Sequence, residues 1–195
     1  MYTFDHKLYL WLNFDGGAAM DTLMELVSGW LIWIPLYLAI FWMVLRRFGW
    51  RTMLAFIICL ALAMGLADML CGIFKHTGLL KNLWASFPAR HRPMFDLAVR
   101  ELSHVVSYAH GPYGTVSAHA ATVSALALFA SLVLRRKFIS WAMVAMTILI
   151  CYSRIYLACH FPVDILLGAI CGTISGLLVF FLWKKLDKVI AKQRK

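Results

Sequence analysis

The 195-residue chain is 63% hydrophobic and only 14% charged, with a mean hydropathy of +0.78. Soluble domains have about 25% charged residues, so this composition favours a membrane protein. The net charge of +10 is compatible with nucleic acid binding, but most basic residues lie in three clusters beside apolar runs. These clusters are Arg46, Arg47 and Arg51; Arg135, Arg136 and Lys137; and Lys184, Lys185, Lys188, Lys192, Arg194 and Lys195. This distribution is typical of membrane topology signals and argues against nucleic acid as a partner.

The predicted fold class is all-α, a polytopic membrane helix bundle in a single domain over residues 1–195. Residues 1–21 mix aromatic and charged side chains, which predicts a short helix in the membrane interface. Five apolar segments follow, each near the ~20 residues that a bilayer requires: 23–45, 53–74, 116–134, 138–158 and 161–183. The 75–115 connection is too long for a simple joint and is predicted to contain helical pieces. A basic tail over 184–195 ends the chain.

The three basic clusters set the predicted orientation. If all three lie in the cytoplasm, an odd number of spans places the first residues of the chain outside. The 75–115 connection and the short turn before the fifth span then also face outward. Polar residues in these two connections are therefore predicted to meet at the outer surface.

The first chemical pattern is His160 with Asp164, spaced i, i+4 at the start of the fifth span, so that both share one helix face. Asp164 is predicted to accept the Nδ1–H of the imidazole, which leaves Nε2 free to act as a nucleophile. Arg154, at the outer end of the fourth span, offers a planar fork for phosphate oxygens. The alternative is that the His160–Asp164 pair only caps a helix.

The second pattern is Ser117-Ala118-His119 at the start of the third span. Backbone N–H groups and the dipole of a first helical turn favour an anion there. Ser117 is a candidate donor to a phosphate oxygen, and His119 is a candidate general acid. Serine and histidine also cap many helices, so this tripeptide gains its weight from sharing the predicted outer side with His160.

The third pattern is the cationic stretch Arg90-His91-Arg92-Pro93, preceded by Lys75 and Lys81. Clustered cations neutralise the charge of a phosphoryl group during displacement. Attraction to anionic lipid head groups is the alternative, and it is favoured for Arg100 and for one of the two lysines. Lys75 also follows Asp68 by two helical turns, so a buried pair between them is as plausible as a catalytic role.

A stripe of small residues runs along the fifth span, formed by Gly168, Gly172 and Gly176. Such stripes let helices approach closely. Dimerisation is one use of the stripe. Packing within the chain against the third span, at Ala118, Ala121 and Ala125, is the predicted use, and it would bring His160 towards His119.

Together these patterns resemble the three-part signature of the phosphatidic acid phosphatase type 2 family, whose catalytic core is similar to that of vanadium haloperoxidases. Ser153-Arg154-x5-His160-x3-Asp164 matches the third part in full. Val116-Ser117-Ala118-His119 resembles the second part, Pro-Ser-Gly-His, with alanine in place of glycine. The first part, Lys-x6-Arg-Pro, is present as Arg92-Pro93, but Ala85 occupies the lysine position. An insertion would bring in Lys75 or Lys81, and Lys75 is preferred because it directly follows the second span.

The resemblance implies a role for each matching residue. His160 attacks phosphorus and forms a phosphohistidine, Asp164 orients it, and His119 protonates the leaving oxygen. The phosphoryl oxygens are held by Arg92, Ser117, Arg154 and Lys75. The resemblance also implies that the reaction needs no metal or other cofactor.

The expected function is therefore a lipid phosphatase of the bacterial inner membrane, with its active site facing the periplasm and membrane lipids around it. Undecaprenyl diphosphate is the first expected substrate; lipid A, phosphatidylglycerol phosphate and phosphatidic acid are alternatives. A phosphotransferase would use the same residues. An anion transporter is less favoured, because the first, third and fifth spans have almost no polar residues deep in the membrane. The sequence leaves the oligomeric state open.

Overall fold

The computed structural model describes residues 3–75, 78–84, 90–106 and 111–192, except the side chains of Lys81 and residues 190–192. Within these residues the chain forms eight α-helices: α1 Phe4–Leu12, α2 Gly17–Ser28, α3 Ile34–Phe48, α4 Trp50–Ile73, α5 Leu79–Leu83, α6 Ala118–Leu134, α7 Lys137–Tyr156 and α8 Pro162–Lys192. Short 3₁₀ turns occur at Leu31–Trp33, Pro93–Phe95 and Arg100–Leu102. The predicted all-α class and the helical pieces of the long connection are confirmed.

Four segments are long and apolar enough to cross a membrane: Leu31–Phe48, Trp50–Ile73, Lys137–Tyr156 and Pro162–Val189. The remaining predicted span, 116–134, is the apolar helix α6, which has 17 residues. That length is at the lower end of the ~17–25 residues that span a bilayer. The chain is therefore a polytopic helical membrane bundle, as predicted.

The predicted boundaries of the N-terminal region are wrong. The expected interfacial helix over 1–21 is two helices, and the second of them, α2, runs across the predicted start of the first span at residue 23. Gly29 is extended and ends α2, and Pro35 lies in the first turn of α3, a position that proline favours. These two residues start a new helix where the apolar pattern alone suggested a continuous one.

The last helix extends beyond the predicted end of the fifth span. Helix α8 does not stop at residue 183 but continues to Lys192, so most of the expected basic tail is helical. Lysine is a good helix former, and neither glycine nor proline interrupts residues 184–192. The apolar part of the sequence ends before the helix does.

Helix α6 lies against α8 through the predicted glycine stripe. A Cβ atom on Gly168 would overlap the carbonyl oxygen of Ser117, and one on Gly172 would overlap that of Ala121. The backbone N–H of Ser117 donates to the carbonyl oxygen of Asp164 at 3.1 Å. The intrachain use of the stripe is confirmed, and it places the first turns of α6 and α8 side by side.

The described members of the three basic clusters lie at the opposite end of the bundle. Arg47 Nη1 donates to the carbonyl oxygen of Leu134 at 2.6 Å, which joins the α3–α4 turn to the end of α6. A neighbouring cleft is lined by Arg47, Arg135, Lys184 and Lys188. The end that carries the basic clusters is therefore distinct from the end that carries Ser117 and Asp164.

Helices α1 and α2 pack over the end of the bundle that holds Ser117 and Asp164. Tyr9 is fully buried and its ring lies 5.2 Å from that of Phe161. The side-chain amide of Asn13 donates to the carbonyl oxygen of Tyr156 at 2.7 Å, and its oxygen accepts from the backbone N–H of His104 at 2.7 Å. The N-terminal region is thus fastened to the 90–106 connection and to the α7–α8 turn.

The close contact between α6 and α8 predicts the effect of adding one methyl group. We expect Gly172→Ala to lower the stability of the protein by about 1–3 kcal/mol, because the methyl group has no room beside Ala121. Gly65→Ala is the matched control, since a Cβ there meets no atom within 4 Å, and alanine favours helix by up to about 1 kcal/mol. Thermal unfolding in detergent measures both, and equal shifts in melting temperature would contradict the packing argument.

Candidate active site

The α7–α8 turn fixes His160 relative to Arg154. Ala158 adopts a left-handed backbone conformation with φ 53°, so that α7 ends sharply. The N–H groups of Cys159 and His160 then donate to the carbonyl oxygen of Arg154 at 3.0 and 3.2 Å. The two predicted site residues are held together by backbone hydrogen bonds, and His160 is only 4% exposed.

The two ring nitrogens of His160 face different groups. Nδ1 lies 3.3 Å from the carbonyl oxygen of Gly114 and 3.7 Å from Asp164 Oδ2. Nε2 lies 3.3 Å from Arg92 Nη1. Because Nδ1 faces two acceptors, we assign the proton to Nδ1. Asp164 lies on the predicted side of the ring, but Gly114 is the nearer acceptor, since 3.7 Å exceeds a hydrogen-bond distance.

Asp164 is fully buried and both of its carboxylate oxygens have partners. Oδ1 accepts from Arg90 Nη1 at 2.9 Å. Oδ2 accepts from the backbone N–H of Phe161 at 2.9 Å, as the third residue of a helix does in a capping box. The capping role that the sequence left open is therefore present, and it coexists with a position beside His160.

Arg92 and Arg154 each present a guanidinium group that is only partly satisfied. Arg92 Nη1 also donates to the carbonyl oxygen of Cys159 at 3.1 Å, and Arg154 Nη1 donates to Ser28 Oγ at 2.6 Å. Within the described residues, the Nε atoms of both arginines and the hydroxyl of Thr115 are buried without a hydrogen-bond partner. Unpaired buried donors are unfavourable, so an anion with several acceptor oxygens suits this place.

The start of α6 adds Ser117 and His119. Ser117 is buried, and its Oγ caps the helix by accepting from the backbone N–H of Ala120 at 3.3 Å, which leaves its O–H as a donor. His119 lies within electrostatic range of Arg92, Arg154 and His160. His119 at the start of α6 and His160 in the α7–α8 turn are thus brought to one site, which also contains two arginines and a serine.

The sequence pattern of the PAP2 superfamily matches residues 56–188, more than half of the chain. The chain belongs to the PAP2 superfamily. Among curated relatives, the lipid A 4′-phosphatase of Bacteroides thetaiotaomicron is 32% identical over 183 residues, covering 93% of this chain and 78% of the relative. The lipid A 4′-phosphatase of Porphyromonas gingivalis is 29% identical over 176 residues, covering 90% and 71%.

Two crystal structures share the PAP2 fold with this chain. Aquifex aeolicus LpxE has a TM-score of 0.66 at 19% identity, over 91% of this chain and 95% of LpxE. The transmembrane PAP2 type phosphatidylglycerolphosphate phosphatase of Bacillus subtilis has a TM-score of 0.60 at 18% identity, over 95% and 85%. The family and these relatives confirm the predicted class: a bacterial multi-pass membrane lipid phosphatase that hydrolyses phosphoric monoesters.

The lysine of the first PAP2 signature remains a prediction. Lys75 Nζ lies 3.4 Å from Asp68 Oδ1, and both side chains are about half exposed, at 46% and 56%. The expected pairing with Asp68 is present, but it is exposed rather than buried. In the described part of the chain, Lys75 makes no hydrogen bond with His160, and its ion pair is with Asp68. The side chain of Lys81 and the whole of Ala85 lie outside the described residues.

Gly114 lies directly beside His160, although the sequence reasoning treated it only as part of a turn. The backbone N–H of Gly114 donates to the carbonyl oxygen of Arg90 at 2.9 Å, and that of Arg92 donates to the carbonyl oxygen of Pro112 at 2.8 Å. A Cβ on Gly114 would lie 2.8 Å from Arg92 Cγ and 3.3 Å from His160 Nδ1. Glycine is required there because the backbone touches the imidazole ring.

Arg90 was predicted to be one of the cations that face the phosphate, but its side chain has other partners. Its side chain binds two carboxylates, Asp164 and Asp5, and its guanidinium group lies 4.1 Å from the ring centre of Phe161. The hint in the sequence was a cluster of positive residues on the outer side, contrary to the usual charge distribution. Asp5 had no such signal, because the contact joins residues 85 positions apart.

The surroundings of His160 hold the pKa of its imidazole below the ordinary value, chiefly because burial disfavours the charged ring. Asp164 opposes this shift, whereas the positive charges of Arg92 and Arg154 reinforce it. A lowered pKa means that the ring remains neutral at pH 7 and keeps a lone pair on Nε2.

We expect His160 to titrate below pH 6.5, its ordinary pKa. Asp164→Asn should lower this pKa further, because the substitution removes the negative charge that favours the imidazolium ion. NMR of protein labelled with ¹⁵N-histidine measures both values, and loss of one signal in His160→Gln assigns the resonance. A pKa of 6.5 or above, or a rise in Asp164→Asn, would contradict this account.

Proposed function

We propose that this enzyme removes the 4′-phosphate of lipid A, with His160 as the nucleophile. The observation that carries the chemical part of the proposal is the position of Nε2. It lies 3.3 Å from Arg92 Nη1. The Nε groups of Arg92 and of the neighbouring Arg154 have no hydrogen-bond partner within the described residues. A phosphate monoester bound there would satisfy these donors and present its phosphorus atom to the ring nitrogen.

In the proposed reaction, the Nε2 lone pair of His160 attacks phosphorus as the bond to the sugar oxygen breaks. His119, in its protonated form, donates its proton to that leaving oxygen. The neutral His119 then accepts a proton from water, which attacks the phosphohistidine and releases inorganic phosphate. Arg92, Arg154 and the hydroxyl of Ser117 hold the remaining phosphoryl oxygens during both steps.

The groups at Nδ1 give the ring its proposed orientation. Gly114 accepts the Nδ1–H, and the negative charge of Asp164, 3.7 Å away, favours the positive charge that the ring gains when phosphorylated. Lys75 remains the proposed lysine of the first signature. In the proposed reaction it exchanges its contact with Asp68, at 3.4 Å, for a phosphate oxygen.

We further propose that the site faces the periplasm from the inner membrane and that the chain works as one domain. The described members of the three basic clusters lie at the end opposite the site, which supports a cytoplasmic position for the clusters. A site at the ends of the membrane helices receives a phosphate head group while the lipid tails stay in the bilayer.

The curated relatives support lipid A over the first expectation, undecaprenyl diphosphate. Both relatives are called lipid A 4′-phosphatase, and the matches cover at least 90% of this chain and 71% of theirs. We expect the purified protein in detergent to release phosphate from lipid A faster than from undecaprenyl diphosphate, phosphatidylglycerol phosphate or phosphatidic acid. Phosphate release and mass spectrometry of the remaining lipid measure the rate and locate the phosphate that is lost.

The assay contains EDTA and includes His160→Ala as a parallel sample. Faster release from another lipid would replace lipid A as the substrate. Transfer of phosphate to an added lipid or sugar instead of water would identify a phosphotransferase. Activity that appears only after Mg²⁺ is added would contradict the metal-free reaction that the family resemblance implies.

Two histidine variants test the proposed roles. We expect His160→Ala to insert normally and to lose at least about a thousandfold in kcat, because no nucleophile replaces the imidazole. His119→Ala should lose less activity on p-nitrophenyl phosphate than on lipid A, since the nitrophenolate leaves without a proton from a general acid. Full activity of His160→Ala would remove the nucleophile assignment. Equal losses on both substrates would remove the acid assignment.

A further inference from the structure

We infer that Asp5 and Arg90 are positioning residues, which hold the groups facing Nδ1 of His160 and set their net charge. The inference rests on the proposed nucleophilic role of His160. Asp5 belongs to α1, the helix that the sequence suggested to be a membrane-surface anchor. Its contacts with Arg90 and Val163 join that helix to the residues around His160.

Arg90 holds both acceptors beside Nδ1, by two separate bonds. Its Nη1 donates to Asp164 Oδ1 at 2.9 Å. Its backbone carbonyl oxygen accepts from the N–H of Gly114 at 2.9 Å, and the carbonyl oxygen of Gly114 is the one that lies 3.3 Å from Nδ1. A single residue in the 90–106 connection therefore places the two oxygens that orient the ring.

Arg90 is in turn held by Asp5. Its second guanidinium nitrogen binds Asp5 Oδ2, and its face lies against the ring of Phe161. The other oxygen of Asp5 accepts from the backbone N–H of Val163 at 3.1 Å. Asp5 thus connects Arg90 to the first turn of α8, where Asp164 binds the N–H of Phe161. The side chain of Asp5 is only 11% exposed, so water weakens these bonds little.

The charges of this group suit the reaction. Asp5 and Asp164 contribute two negative charges and Arg90 one positive charge, which leaves one net negative charge beside Nδ1. When Nε2 is phosphorylated and Nδ1 keeps its proton, the imidazole ring gains one positive charge. Without Asp5, Arg90 would cancel the charge of Asp164, and the phosphorylated ring would lose its compensation.

This inference predicts an effect on the reaction step rather than on substrate binding. We expect Asp5→Asn to lower kcat about tenfold with little change in KM, because Arg92 and Arg154 still hold the phosphate. Asp15→Asn is the matched control, since it removes the same charge from the same N-terminal region at a side chain that is 74% exposed. Arg90→Lys keeps the charge but loses the planar fork, and it should lower kcat by a smaller factor than Arg90→Gln.

A readout on His160 itself needs no substrate. Among the residues that the structure describes, the charged and titratable groups around its ring are Asp164 on α8, Arg92 on the 90–106 connection, Arg154 on α7 and His119 on α6, with Asp5 and Arg90 behind Asp164. Asp5→Asn removes a negative charge from this set, so it should lower the pKa of His160. Asp15→Asn should leave that pKa unchanged.

The experiment measures kcat and KM on lipid A, the ¹⁵N-histidine titration, and the melting temperature for these variants of the full chain in detergent. Asp5→Asn keeps the side-chain size and an acceptor for Val163. If it does not fold, Arg90→Lys and Arg90→Gln test the positioning through kcat, and Arg90→Gln, which removes a positive charge, should raise the pKa of His160 instead of lowering it. Asp5→Asn and Asp15→Asn with equal kcat and equal His160 titration would overturn the inference while His160→Ala is inactive. An active His160→Ala would instead end the proposed function, and the titration alone would then decide the inference.

Discussion

The close approach of α6 and α8 is the contact on which the site depends. Two glycines on α8 bring the backbones so near that a methyl group would overlap the carbonyl oxygens of Ser117 and Ala121. Apolar side chains gain little from one another inside a lipid bilayer, so close packing of small residues is the main way to join two such helices. The same contact places the first turn of α6 beside that of α8. The hydrogen bond from the N–H of Ser117 to the carbonyl oxygen of Asp164 fixes the position of one helix along the axis of the other. A shift of one helical turn would separate the two histidines.

The second constraint is the burial of charged groups where the helices end. Asp164 is fully buried, and burying a carboxylate without partners would be very unfavourable. Arg90 and the N–H of Phe161 occupy its oxygens, and Asp5 binds the other terminal nitrogen of Arg90. The N-terminal helix is therefore required to complete a charge network at the active site. This requirement explains why α1 packs into the bundle end, with Tyr9 and Asn13 holding it there.

Some features could be read from residues close in sequence, and others could not. The spacing of four predicted that Asp164 lies beside His160, which holds although His160 belongs to the turn before α8, and the glycine stripe also follows from a spacing of four. The predicted start of the first span is wrong, because the apolar pattern continues across Gly29 whereas the helix ends there. The hydrogen bond at Nδ1 was assigned to Asp164 because the spacing suggested it. Gly114 is the nearer acceptor. The His91–Tyr113 bridge places this residue, which is 46 positions away in sequence, beside the imidazole ring of His160.

The sequence by itself determined the membrane character, the separation of basic clusters from the site, and the signature residues that identify the family, because composition and spacing are local properties. Only the tertiary structure decided the partners of those residues. Arg90 binds carboxylates instead of facing phosphate, and Asp5 joins a site formed by residues from the other end of the chain. A charged side chain pairs with whatever group folding brings within a few ångströms. That neighbour is set by how helices and loops pack, which no short stretch of sequence specifies.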